Sequence, residues 1–352
     1  MKPIFLVSTM MAGIWCGSLA PAHAQLVIKG ETISDARTTE AARKEGKLLL
    51  YTTYPNDPMK VIITGFQDDT GINVEFVRLP TQDMFQRTLS EAAAGKLPAD
   101  YIDLTDLTLV EQLVDKKILA VPHKVPSFDE IPDRIKDPEG RWYGVIRPIS
   151  IMAVNTARMK SQDIPKSWKD VLDPKWRGQA GIAGMDAGGS AFTLFSFLTS
   201  QVDPAFITKL GGLSPHVYPS VAPLATDLAR GEIAIGLGAI SEQMIAQARA
   251  GAPVKVVFPL EGVSAFPASG GITATAQHPN AAALFLDWLT SKRGGTVIAS
   301  AGAYPANVDA PVPTAEGLIY PPPDKLWNLD AKVWTETRDV NSNKWRADLG
   351  TQ

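Results

Sequence analysis

Lys47-Leu-Leu-Leu-Tyr51 runs straight into Thr52-Thr-Tyr-Pro-Asn-Asp-Pro58, and this stretch decides the fold class. The continuous apolar run has the length and composition of a buried strand, and the polar, proline-containing segment after it reads as a loop. Residues 59–70 follow with Val61, Ile62, Ile63 and Phe66 on one helical face, and Gly71 ends that helix. Ile72-Asn-Val-Glu-Phe-Val77 is the next strand, residues 81–94 the next helix, Tyr101-Ile-Asp-Leu104 a third strand and residues 107–114 a third helix. Strands alternating with helices over short connections predict a mainly parallel, twisted sheet with helices on both faces.

Proline and charge accumulate over 122–139 and interrupt the pattern. It resumes at Trp142-Tyr-Gly-Val-Ile146 and over 149–154. A second alternating block is then expected: strands over 180–183, 233–237 and 254–258, and helices over 190–200, 221–230 and 241–250. The Gly-rich Ser269-Gly-Gly271, an apolar helix over 281–289 and a region carrying Trp327, Trp334 and Trp345 complete the chain. The three tryptophans are spaced too widely for a sugar-stacking platform and are expected in packing. A chain of 352 residues with two such blocks implies two α/β units.

The N-terminus has the form of a cleavable export signal. Lys2 precedes a mostly apolar stretch over 4–19, too short to span a bilayer comfortably, and Ala22-His-Ala24 supplies a small-x-small cleavage site before Gln25. Residues 1–24 are therefore read as a signal peptide, and export into a periplasm is expected. The single cysteine, Cys16, lies inside that segment beside Trp15, which disfavours lipid attachment. Beyond residue 24 no thiol remains for a disulfide, a thiolate metal site or a cysteine nucleophile. The formal net charge of −3 becomes one unit more negative without Lys2, and no basic run points to nucleic acid.

Ala153-Val-Asn-Thr156 and Ile164-Pro-Lys-Ser-Trp-Lys-Asp-Val-Leu-Asp-Pro-Lys-Trp-Arg-Gly178 hold nothing that looks catalytic. Ser167 is placed to cap the turn beginning at Trp168, and Asp173-Pro174 stops it. As a pattern, however, this stretch resembles the extracellular solute-binding proteins of ABC importers, in the branch that includes ferric-iron, phosphonate and thiamine binders. Further pieces fall in the family's order: Glu91-Ala-Ala-Ala-Gly95, Ala99-Asp100, Gly231-Glu-Ile-Ala-Ile235, and His278-Pro-Asn-Ala-Ala282 with Trp288-Leu289. The resemblance implies the type II periplasmic-binding-protein fold, with two α/β lobes closing on a ligand across a hinge. It places crossings near 144–151 and 261–271, with lobe I as 25–147 plus 262–352 and lobe II as 148–261.

In open parallel sheets, ligands bind beyond the carboxyl ends of strands, where helix N-termini offer unpaired N–H groups. That rule selects Thr53 and Tyr54, Thr81, the Thr105-Asp106 loop, Gly188-Gly189-Ser190 and Ser241. For Thr53, Tyr54, Thr81, Ser190 and Ser241 the alternative to ligand contact is an ordinary helix start. Gly189 either lets backbone approach an oxyanion or is simply a flexible residue. Arg147 lies between two apolar runs in an expected crossing strand, where a charge is costly unless paired. It either grips an anion bidentately or pairs with an acid such as Asp106, which itself either orients Arg147 or binds a ligand amine.

The resemblance also implies what is missing. Ferric binders of the family carry adjacent tyrosines after the strand over 233–237, where this chain reads Gly238-Ala-Ile-Ser241. No metal and no other cofactor is expected. The expected function is capture of a small, anionic organic solute by lobe closure, for delivery to an inner-membrane ABC permease with its ATPase. The protein is expected as a monomer. A ferric-chelate binder and a periplasmic sensor subunit are the alternatives within the same fold. An enzyme has no motif to support it: neither Gly-x-Ser-x-Gly nor His-Glu-x-x-His occurs.

Overall fold

The computed structural model describes residues 25–351 apart from Glu316, so the signal-peptide reading of 1–24, with Cys16, lies outside the described residues. No helix in the described part is long and apolar enough to cross a membrane.

Two mixed sheets organise the chain. In the first, Lys47–Thr52 lies between the parallel strands Asn73–Arg78 and Tyr101–Leu104. Antiparallel to the latter runs Ala268–Ile272, followed outward by Tyr143–Arg147 and the short Tyr304–Pro305. In the second, Ala180–Ala183 lies between the parallel strands Ile235–Ile240 and His216–Tyr218, and Ile149–Asn155 runs antiparallel to Ile235–Ile240. Val254–Val257 and Ser264–Ala265 both pair with Ile149–Asn155, and Trp327–Asn328 extends the edge. Every residue of Ile149–Asn155 is buried, as a central strand covered on both faces requires.

The chain passes between the sheets at Pro148, which separates Tyr143–Arg147 from Ile149–Asn155. It returns at Phe266-Pro267, between Ser264–Ala265 and Ala268–Ile272. The two passages lie side by side, because the Phe266 N–H donates to the Pro148 carbonyl at 3.1 Å. A third passage connects Tyr304–Pro305 of the first sheet to Trp327–Asn328 of the second.

Sequence and structure agree closely on most elements, with instructive differences. The helix expected from residue 59 spans Asn56–Thr70; Pro55 precedes it, and Pro58 sits in its first turn, where no intrahelical N–H bond is needed. The expected helix over 190–200 is α-helical only over Gly189–Phe197 and ends in a wider π turn over Leu198–Val202. The C-terminal segment, which the resemblance assigns to lobe I, makes its main packing contacts with the second sheet's side. It forms a 19-residue helix, Ala331–Leu349, that packs on Phe206–Gly211 of the second lobe. Trp334 and Trp345 reach that lobe's core, where Phe192 lies 5.5 and 5.4 Å from their rings.

The Trp/Pro stretch works as a clasp. Ser167 caps the turn Trp168–Leu172, and Asp170 returns the bond to the Ser167 N–H, a capping box. Glu261 accepts from both the Ser167 hydroxyl and the Trp168 N–H, and the buried Trp168 indole donates to the Gly262 carbonyl at 2.9 Å. The stretch thus anchors the residues that lead into the return passage. Trp168→Ala should cost about 3–5 kcal/mol in urea-unfolding free energy, from lost apolar burial, a cavity and an orphaned carbonyl. A loss below 1 kcal/mol would show that the clasp is dispensable.

Candidate ligand cleft

The parallel strands of both sheets point their carboxyl ends at one interlobe cavity, and the loops leaving them line it. From the first lobe come Thr53, Tyr54 and Pro55 after Lys47–Thr52, Arg78 and Thr81 at the end of Asn73–Arg78, and Thr105 after Tyr101–Leu104. The second lobe supplies Ala187 and Ser190, Ser220 and Val221, and Ile240. Pro148 and Phe266, the passage residues, form the floor. The enclosed space is about 30 Å³, room for roughly two waters.

Helices Asn56–Thr70, Thr81–Ala93, Gly189–Phe197, Val221–Arg230 and Ser241–Arg249 all begin at this cavity, and none has an N-cap side-chain bond. Several helix starts elsewhere are closed by carboxylate oxygens. Asp35 and Asp330 cap their own helices, Glu45 accepts from Asn280 and Ala281, and Glu31 from Lys292 and Arg293. The cavity therefore gathers the unpaired, partly positive ends of several helices. Asp57 and Asp83, the carboxylates in two of those first turns, face solvent.

Arg78 adds a full charge. Its Nε is buried without a hydrogen-bond partner, and no carboxylate pairs with it among the described residues. Burial pushes its guanidinium below the usual range. The Thr53 hydroxyl is also buried without a partner, while the Thr53 N–H donates to Asp103 at 3.2 Å. Asp103 lies behind the cavity wall, and burial raises its carboxyl to about 7.

Of the residues selected from the sequence, Thr53, Tyr54, Thr81 and Ser190 come together at the cavity. Gly189 sits at the seam between the lobes, where a Cβ would fall 1.8 Å from the Thr105 carbonyl oxygen. Beside it, Gly188 rests on Thr81, whose hydroxyl shares a 2.8 Å bond with that of Thr105. Three other residues do not line the cavity. Arg147, 4 % exposed, donates from Nη2 to Asn328 Oδ1 at 3.3 Å rather than meeting Asp106. Asp106 caps Leu107–Asp115 and is paired with Arg338 of the C-terminal helix. The Ser241 hydroxyl donates to Glu242 Oε2 at 2.7 Å.

Arg78 is not among the residues selected from the sequence, where the strand is expected to end at Val77; its place at the carboxyl end of a parallel strand is the signal that points to it.

The seam generates a direct test. Gly189→Ala introduces a methyl where the Thr105 carbonyl and Trp334 already lie within 3 Å. The variant should lose unfolding free energy, because buried Trp334 of the same lobe must also shift, and should scatter X-rays as a more open particle than the wild type. An unchanged radius of gyration would remove Gly189 from the closing contact.

The profile of the bacterial extracellular solute-binding protein family matches residues 99–325. The chain is 22% identical to an Fe(3+)-binding periplasmic protein of Serratia marcescens, over 87% of its own length and 90% of that protein's. Its structure superposes on the periplasmic binding protein AfuA of Actinobacillus pleuropneumoniae, solved with fructose-6-phosphate bound. The TM-score is 0.72 at 24% identity, covering 88% of this chain and all of that one. A substrate-binding protein of an ABC transporter from Agrobacterium tumefaciens superposes with a TM-score of 0.75 at 16% identity, covering 86% and 94% of the two chains. Two sheets joined by paired passages, a cleft at their carboxyl ends and a matching profile over most of the chain lead to one assignment: this protein belongs to the bacterial extracellular solute-binding proteins, has the type II periplasmic-binding-protein fold, and is the non-enzymatic solute-binding component of an ABC transporter.

Proposed function

We propose that the protein captures a small organic anion between its lobes in the periplasm and delivers it to an inner-membrane permease. The observation that carries this reading is the unpaired Arg78 guanidinium in a cavity ringed by uncapped helix N-termini. Half-buried, with its Nε inaccessible and no carboxylate beside it, the Arg78 guanidinium has lost part of its hydration, and an anionic solute offsets that loss on binding. Planar guanidinium geometry suits carboxylate, phosphonate or phosphate ester oxygens bidentately. Thr53, Thr81, Thr105 and Ser190 supply hydroxyl donors around the same point, and Tyr54 borders it.

A cationic solute has no counterpart there. Asp103 is engaged with Thr52 and Thr53, Glu242 with Tyr54 and Ser241, and neither lines the cavity. No cluster of three or more His, Cys, Asp or Glu suited to a metal ion occurs among the described residues. Gly238-Ala-Ile-Ser241 also stands where ferric binders of the family carry adjacent tyrosines, which speaks against the Serratia relative's ferric ligand here.

An organic anion cannot enter a space of about 30 Å³, so entry requires the lobes to separate and capture requires them to close around the solute. Closure then buries Arg78 and its bound anion together, where their attraction is least screened.

The experiment is native mass spectrometry of gently purified protein to identify co-purified solute. Calorimetry follows with that solute or with a panel of phosphate esters, phosphonates and carboxylates. Arg78→Ala should weaken binding by about 2–5 kcal/mol, at least 30-fold. Arg147→Ala, behind the wall, should cost far less. Equal affinity for wild type and Arg78→Ala would overturn the anion reading, as would a cationic solute.

A further inference from the structure

Glu242 occupies a position that the cavity does not explain. It lies in the first turn of Ser241–Arg249 in the second lobe and is 2 % exposed. Its Oε1 accepts from the Tyr54 hydroxyl of the first lobe at 2.7 Å, and its Oε2 from the Ser241 hydroxyl at 2.7 Å. The Gly302 backbone, next to the first-sheet strand Tyr304–Pro305, rests on it: a Cβ there would lie 3.3 Å from the Glu242 Cα. Two lobes thus close on one carboxyl group.

We propose that Glu242 is an interlobe latch, and that closing the lobes draws a proton onto its carboxyl group. The inference rests on the lobe-closure reading above and adds the residue that sets its energetics.

Tyr54, Tyr304 and Tyr320 face Glu242 from the first lobe and from the passage between Pro305 and Trp327. Asp103 stands beyond Tyr54, Arg147 acts on Tyr304 and Arg249 on Tyr320. No cation forms an ion pair with Glu242 among the described residues. The hydroxyls of Ser241 and Tyr54 and the Glu242 backbone N–H at the helix start all favour the carboxylate, but no full counter-charge replaces the hydration that burial removes, and that loss is the larger effect. Burial accordingly raises it to about 7 in the closed arrangement. With the lobes apart, water returns to the group and the ordinary carboxylate range applies.

The sign follows from linkage. The closed form binds more protons than the open form between the ordinary carboxylate range and about 7. Closure is therefore favoured as the pH falls through that window, by up to about tenfold per pH unit, and the advantage is lost as the pH rises past about 7. A protein whose capture step takes up a proton holds solute more tightly in mildly acidic surroundings.

The test uses solute-free protein, unfolded in urea, dialysed and refolded, with X-ray scattering at pH 5.5 and pH 8.0. Wild type should be more compact at pH 5.5. Glu242→Gln, a permanently neutral analogue of the protonated group, should be equally compact at both values. Tyr54→Phe, which removes the interlobe donor, should show a smaller pH response than wild type. A wild-type radius that does not change with pH would overturn the proposal. So would a Glu242→Gln variant that keeps the wild-type response, which would assign the proton to Asp103 instead. Should Glu242→Gln fail to refold, the side-chain carboxyl resonance of Glu242 in isotope-labelled wild type decides: titration in the ordinary carboxylate range in closed protein overturns the latch. Because no solute is present, the outcome is independent of whether Arg78 binds an anion.

Discussion

The hydrogen bond from the Phe266 N–H to the Pro148 carbonyl holds the two passages between the sheets against each other, and the rest of the architecture depends on that adjacency. With both passages at one point, the two sheets can only face each other across a common floor, and Pro148 and Phe266 form it. Each sheet then turns the carboxyl ends of its parallel strands toward the same space. Glu261 and Gly262, held by the Ser167 and Trp168 clasp, lead the chain into the return passage and keep that floor in register with the second lobe.

From this arrangement the electrostatics of the cleft follow without any dedicated charged cluster. Helices that follow parallel strands begin where those strands end, so five uncapped N-termini collect at the cavity as a consequence of topology. Several helix starts elsewhere are closed by Asp35, Glu31, Glu45 and Asp330. Arg78, half-buried at the cavity wall, adds a full positive charge to those partial ones, and its buried Nε has no hydrogen-bond partner. On the proposed anion reading, fixed dipoles and one cation select for negative charge and leave the organic part of the solute to shape.

The lobes are also joined by contacts outside the cavity, which sets the energetics of closure apart from those of recognition. Gly189 packs on the Thr105 backbone carbonyl, and Arg338 of the C-terminal helix reaches Asp106 in the first lobe. Neither contact involves a solute. A closed form stabilised by protein–protein contacts of this kind shifts a pre-existing equilibrium, and the solute adds only its differential affinity for the closed state.

The amino-acid sequence determined by itself whatever depends on local pattern. The run Lys47-Leu-Leu-Leu-Tyr51, the helical periods and the glycine stops specified the alternating elements, because strand and helix periodicity is written residue by residue. The rule that ligands lie beyond strand ends brought out Thr53, Tyr54, Thr81 and Ser190, since it needs only element order. Tertiary structure alone decided between Arg147 and Arg78. Both are arginines at the end of a strand in the first sheet, and only the passage geometry puts one behind the floor, against Asn328, and the other in the cleft. The same holds for the C-terminal helix, whose tryptophans could satisfy either lobe by composition but join Phe192 and Phe195 of the second. A side chain's charge is a local property. Its partner is a long-range one, and no pattern along the chain encodes a contact between residues that only folding brings together.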